Sequence, residues 1–97
     1  MIKNYEIRCF TLDFTKCKTL GEVYAVIKTG LELPEWFGEN LDALWDSLRG
    51  IIYVPAEITV KYSFRNPQLY KYIEEIIDTM REAEEEFGEI TVKIEMD

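Results

Sequence analysis

Apolar and polar side chains alternate from Tyr5 to Phe10, with Tyr5, Ile7 and Cys9 on one side and Glu6 and Arg8 on the other. That period of two predicts a first strand, and Phe10, Leu12 and Phe14 carry the alternation into the connection that follows. Glu57 to Tyr62 repeats the pattern, with Ile58, Val60 and Tyr62 against Thr59 and Lys61. Ile90 to Met96 repeats it again, placing Ile90, Val92, Ile94 and Met96 on one face. Between these stretches the apolar spacing changes to three and four, which predicts helices. Leu20, Val23, Tyr24, Ile27 and Leu31 mark the first, opened by a Thr19-x-x-Glu22 capping box and running to about Gly30. Leu41, Leu44, Trp45 and Leu48 mark a short second helix with Asn40 as its cap. It ends near Gly50, a residue suited to a left-handed turn. Leu69, Tyr72, Ile73, Ile76, Ile77 and Met80 form the stripe of the longest helix, which Asn66 and Pro67 begin and Gly88 breaks.

Strand, two helices, strand, helix, strand is an α/β order, and it implies parallel pairing with helical crossovers. Right-handed crossovers would put the helices on one side of a small sheet. Ninety-seven residues, 47% of them apolar and 13% aromatic, suit one domain spanning 1–97 with its own core. No apolar run reaches the roughly 18 residues needed to span a bilayer. The first ten residues alternate too finely for a signal peptide, so a cytoplasmic location is expected.

Charge narrows the partners. Nineteen acidic against 11 basic residues leave a net charge of −8, which disfavours direct nucleic-acid binding and favours a basic partner. Plain solubility also accounts for a charge of this size. Cys9 and Cys17 match no metal spacing and read as free thiols. Histidine is absent, which removes the commonest general base and a frequent metal ligand. No cofactor or metal is expected, and most enzyme classes become improbable.

One stretch asks for more than a core. In 33–50, LPEWFGENLDALWDSLRG, the second helix turns Asp42, Asp46 and Arg49 away from its leucines. The two carboxylates stand one turn apart on the same side, a spacing that mildly destabilises an isolated helix. The macrodipole rewards Asp42 in the first turn but not Asp46 deeper in. The stripe is either a solvated face or a binding site. Trp36, Phe37 and Gly38 precede it, and so short a segment cannot bury both rings, so an aromatic should reach the surface beside the carboxylates.

These residues closely resemble the central segment of the barstar-like family, intracellular inhibitors of barnase-type ribonucleases. Leu33, Pro34, Trp36, Phe37, Gly38, Asn40, Leu41, Asp42, Ala43, Leu44, Trp45 and Asp46 follow the family's pattern in order. Arg81, Glu82 and Ala83 give a weaker match in the long helix, and Gly50 and Pro55 keep the family's spacing. The resemblance implies a two-layer α/β fold with a three-stranded parallel sheet in order 1-2-3 and about three helices packed against it. It also implies a partner, a small basic ribonuclease of the barnase type, and a chain that is monomeric when free. By position, Asp46 would sit deepest in the enzyme's cleft in place of a phosphate, and Asp42 would meet a donor at the rim. Trp36 takes the place of a family tyrosine, Trp45 lies at core or rim, and Glu82 completes the acidic surface. Gly38 and Asn40 hold the turn, and Phe37, Arg49 and Gly50 fall within the same surface.

The family also carries a short helix between its middle strand and the long one. Here 63–66 leaves room for a turn at most, so that element should be lost or reduced. Arg49 replaces a small hydroxyl residue of the family's contact surface, and Ile51 replaces an aromatic at its border. Both changes bear on the identity of the target. Two other readings stand beside inhibition. Paired catalytic carboxylates are one, although adjacent helical turns hold Asp42 and Asp46 too close and too parallel to flank a substrate bond. An acidic interaction module for a non-ribonuclease partner is the other.

Overall fold

A computed structural model describes residues 6–63 and 65–96. The elements run β1 (Arg8–Asp13), α1 (Leu20–Gly30), α2 (Leu41–Gly50), β2 (Ala56–Tyr62), α3 (Pro67–Phe87) and β3 (Ile90–Met96). The three strands form one parallel sheet in the order β1-β2-β3, with Phe10 opposite Ile58 and Ile58 opposite Val92. This is the two-layer arrangement expected. One sheet face carries Phe10, Leu12, Ala56, Ile58, Val60, Tyr62, Ile90 and Val92, all buried. The other is polar, and its ion pairs, Lys93 with Glu57 at 3.3 Å and Lys61 with Glu95 at 4.0 Å, tie neighbouring strands. Among the described residues no helix lies between β2 and α3.

The first strand is displaced from its expected span. β1 starts at Arg8 and buries Phe10 and Leu12, with Phe14 just beyond, while Ile7 is 59% exposed and Cys9 lies on the open face. Tyr5 falls outside the described residues. Two apolar sets of opposite phase meet at Cys9 and Phe10. Turning Phe10, Leu12 and Phe14 inward removes more apolar surface from water than turning Ile7 and Cys9 inward, and that decides the phase.

Local hydrogen bonds set the helix starts. Thr19 Oγ1 accepts from the Glu22 amide at 3.1 Å, and the Glu22 carboxylate accepts from the amides of Lys18 and Thr19 at 2.8 and 3.1 Å. Asn40 accepts from Ala43 N, and Asn66 from Leu69 N, with Pro67 in the first turn of α3. Gly88, at φ 72°, closes α3 in the left-handed region, as a glycine there does without strain. Gly30 serves closeness: a Cβ on it would run into Leu12 Cδ2 and lie 3.3 Å from Thr11 O, so a larger residue would force the buried Leu12 side chain to shift. Gly50 does not take the left-handed role. It is the last helical residue of α2, and Ile51 caps the helix in right-handed geometry by donating its N–H to Ser47 O. Tyr72, expected in the stripe of α3, is 49% exposed, because Leu69, Ile73, Ile76, Ile77, Met80 and Ala83 already fill the face against the sheet. Met96, expected on the inner face of β3, is also exposed at the end of that strand.

α3 is pinned to the sheet by charge as well as by packing. Glu84 Oε2 accepts from Val92 N at 2.8 Å, and Arg81 donates to Val92 O at 2.8 Å and to Glu84 Oε1 at 3.1 Å. Both backbone groups of Val92 point away from β2, so these side chains satisfy the outer edge of β3 in mid-strand. Glu84→Ala should therefore lower unfolding stability by about 1.5–3 kcal/mol, read from urea denaturation. The capping-box hydrogen bonds hold the Glu22 carboxyl below the usual glutamate range. A lowered folded-state value means the stabilisation is present above the unfolded-state value and lost as pH falls through the folded one. Acid titrations of Glu22→Gln should lack this contribution and show a shallower loss of stability below the usual glutamate range.

Candidate functional site

The turn between α1 and α2 is built to split its two aromatics. Leu31 N–H donates to the carbonyls of Ile27 and Thr29, and Leu33 N–H donates to Lys28 O, which ends α1. Glu32 takes φ 56°, in the left-handed region, and its carboxylate meets Arg8 at 2.9 Å. Phe37 N–H then donates to Pro34 O and Asn40 N–H to Gly38 O, tightening the approach to the cap. Phe37 is buried, its ring 6.3 Å from that of Tyr24, while Trp36 is 74% exposed. The expected surface aromatic is Trp36. Phe37, counted in the contact surface by resemblance, is a core residue that fixes the turn, because it fills the space between α1 and the start of α2. A Cβ on Gly38 would make only an ordinary contact, 3.4 Å from Asn40 Nδ2.

In α2, Leu44 and Leu48 are fully buried and Leu41 packs partly against them. Ser47 is also buried, its Oγ donating to Ala43 O at 2.8 Å, so the helix satisfies its own inner hydroxyl. Trp45 is half-buried and packs on Phe87 of α3, ring centroids 5.1 Å apart. That contact sets the end of α3 beside the middle of α2, and Glu82 lies exposed on the same half of α3. Asp42, Asp46, Arg49 and Gly50 are exposed. Among the described residues, the side chains of Asp42, Asp46, Arg49 and Glu82 enter no hydrogen bond or ion pair. In contrast, the carboxyl of Glu35, next to Trp36, is held down by Lys28 at 2.7 Å.

Two surface residues escaped the sequence reading. Tyr72 and Glu75 of α3 join Glu39 and Asp42 around a shallow groove of about 380 Å³ at the start of α2. Burial, and then the charge of Glu75, push the Tyr24 hydroxyl beside it above the ordinary tyrosine value. The arrangement is chemically one-sided: α2 offers carboxylates that accept hydrogen bonds, with the Tyr72 phenol across the groove from Asp42 and a bare indole exposed in the preceding turn. Among the described residues, no group of three or more His, Cys, Asp or Glu is placed to hold a metal ion. None of the described helices is long and apolar enough to cross a membrane.

The family model described as Barstar (barnase inhibitor) matches residues 7–97. The chain belongs to the Barstar family. It is also 38% identical over 81 residues to the Bacillus subtilis (strain 168) protein named "Putative ribonuclease inhibitor YrdF", covering 82% of this chain and 89% of that protein. The Barstar match takes in all three strands and all three helices, far beyond the dense stretch at 33–50.

On this Barstar-family surface the unpartnered Asp46 carboxylate costs the free protein some stability. Asp46 faces Asp42 one turn away and lies beyond the favourable end of the helix dipole. Asp46→Ala should therefore raise the melting temperature by about 1–3 °C, whereas Asp42→Ala, which also removes a favourable charge from the helix start, should leave it unchanged or lower it, both measured by thermal unfolding at low salt.

Proposed function

We propose that this protein inhibits a small basic ribonuclease of the barnase type by seating the α2 surface in the enzyme's active-site cleft. The observation that carries this reading is the pair Asp42 and Asp46. They are presented without internal partners on a helix anchored by Leu44, Leu48 and the Asn40 cap, and the turn before that helix exposes the Trp36 ring. A ribonuclease binds phosphate, so its cleft is lined with basic groups. Carboxylates held where phosphates would sit form charge-assisted hydrogen bonds with those groups. Asp46 takes the deepest position and Asp42 the rim. Trp36 stacks on a ring or guanidinium of the enzyme, and Glu82 extends the acidic field from α3. Phe37, Gly38 and Asn40 serve the site by fixing the turn, and Trp45 by bracing α2 on α3.

In this role the chain is no enzyme. It works as a monomer in the cytoplasm of the cell that makes the ribonuclease, protecting it before the enzyme is secreted. The net charge of −8 speeds the encounter with a basic target. Arg49 restricts which target fits: without an acidic partner of its own, it suits an enzyme that offers an acidic group one turn beyond the Asp46 contact.

The test is residual RNA cleavage by barnase and a panel of related small ribonucleases, titrated with this protein. Stoichiometric inhibition of at least one enzyme is expected, weakened at least about tenfold by Asp46→Ala. Association should slow as salt rises. A folded protein that inhibits none of the panel would remove the proposal. The acidic surface would then belong to a partner of another class.

A further inference from the structure

A separate cleft lies at the carboxyl ends of β1 and β2. The connection after β1 and the one leading into α3 enclose it, with a volume of about 670 Å³. That volume lies within the range of small-molecule sites. Lys16, Lys18 and Arg65 line it, and none of the described residues lining it is acidic. In a chain of net charge −8 this clustering of cations runs against the average surface.

The state of these cations adds to the case. Arg8, Lys28, Lys61, Arg81 and Lys93 are committed to carboxylates, but Lys16 and Lys18 make no ion pair among the described residues. The nearest carboxylates are Asp13 and Glu22. Asp13 accepts from the amide and hydroxyl of Thr15 at 2.9 and 2.6 Å, and Glu22 accepts from the amides of Lys18 and Thr19. Beside these bonds, the charges of Lys16 and Lys18 help to hold the two carboxyls below their ordinary ranges. Ser63 Oγ accepts from Arg65 N at 3.2 Å, which leaves its hydroxyl hydrogen available as a donor. Phe14, Leu69 and Ile73 form an apolar wall. Helices α1 and α3 both begin at the rim, where Thr19 caps the Glu22 amide and Asn66 the Leu69 amide, and the cationic side chains would do most of the binding.

We infer that this cleft binds a small organic phosphate of mononucleotide size. Its phosphate lies among Lys16, Lys18 and Arg65 and accepts from Ser63, and its ring rests on the apolar wall. Converging cations suit a phosphate dianion better than a single carboxylate. The site is independent of the carboxylate surface on α2, so it survives if the ribonuclease reading fails.

The experiment uses the whole chain and records amide chemical shifts and melting temperature. The probes are adenosine 5′-monophosphate, inorganic phosphate and adenosine, each against sodium chloride at equal ionic strength. The nucleotide should shift the amides of 15–18 and of Ser63, Arg65 and Asn66 and raise the melting temperature, with inorganic phosphate binding more weakly and adenosine not at all. Lys16→Gln with Lys18→Gln, checked for an intact fold by circular dichroism, should weaken nucleotide binding by about tenfold or more. Ribonuclease inhibition by that double variant should be unchanged. No response beyond the chloride control would overturn the inference, as would binding that survives the double substitution. Equal affinity for inorganic phosphate and nucleotide would overturn the assignment to an organic phosphate.

Discussion

The parallel pairing of β2 with both neighbours governs the rest of this molecule. Neighbouring parallel strands cannot be joined by a hairpin, so each connection must travel back along the sheet, and here each does so through helix. With β2 in the middle and both crossovers on one side, the helices share a single sheet face and leave the other to Glu57, Lys61 and Lys93. The helices that follow a strand directly, α1 and α3, start at the carboxyl ends of the strands. The basic cleft therefore forms beside their first turns. α2 is the additional element. It fits because the turn at 31–40 carries the chain back between the two helices of the first crossover.

α2 serves two demands that pull apart. Its inner side is fixed by Leu44, Leu48 and the self-satisfied Ser47, and braced on α3 through Trp45 and Phe87. Its outer side keeps two carboxylates and an arginine without internal partners. A helix chosen for stability alone would pair or dilute those charges. The inner anchoring lets the outer face stay unsatisfied and still hold its geometry.

Much of the fold was legible because its signals are local. The Thr19–Glu22 box and the Asn40 and Asn66 caps join residues three apart, and sequence spacing alone reveals such bonds. The succession of strands and helices along the chain followed from the alternation of periods, the sheet order 1-2-3 from the family resemblance, and on the candidate surface the exposure of Asp42, Asp46 and one aromatic could be foreseen. Most of the failures share one cause, dependence on distant partners, and Gly50 is the local exception. The phase of β1 is set by Ile58 and Val60 across the sheet, and the exposure of Tyr72 by a stripe already complete without it. Which of Trp36 and Phe37 turns inward depends on Tyr24. Gly50 looked like a left-handed stop, yet Ile51 could close the helix without one. The roles of Glu84 and Arg81 could not be seen, since Val92 is their common partner and lies in another element.

The clasp of Arg81 and Glu84 on Val92 bears on how copies of this chain can meet. A sheet with two open edges is divalent and can extend indefinitely, strand upon strand, into a filament. Here the backbone of β3 is already occupied at mid-strand, so that edge offers no continuous row of free backbone groups. Growth on both sides of the sheet at once is thereby blocked. The same two side chains bracket Glu82 in sequence, so the turn of α3 that presents its carboxylate is also the one that ends the sheet.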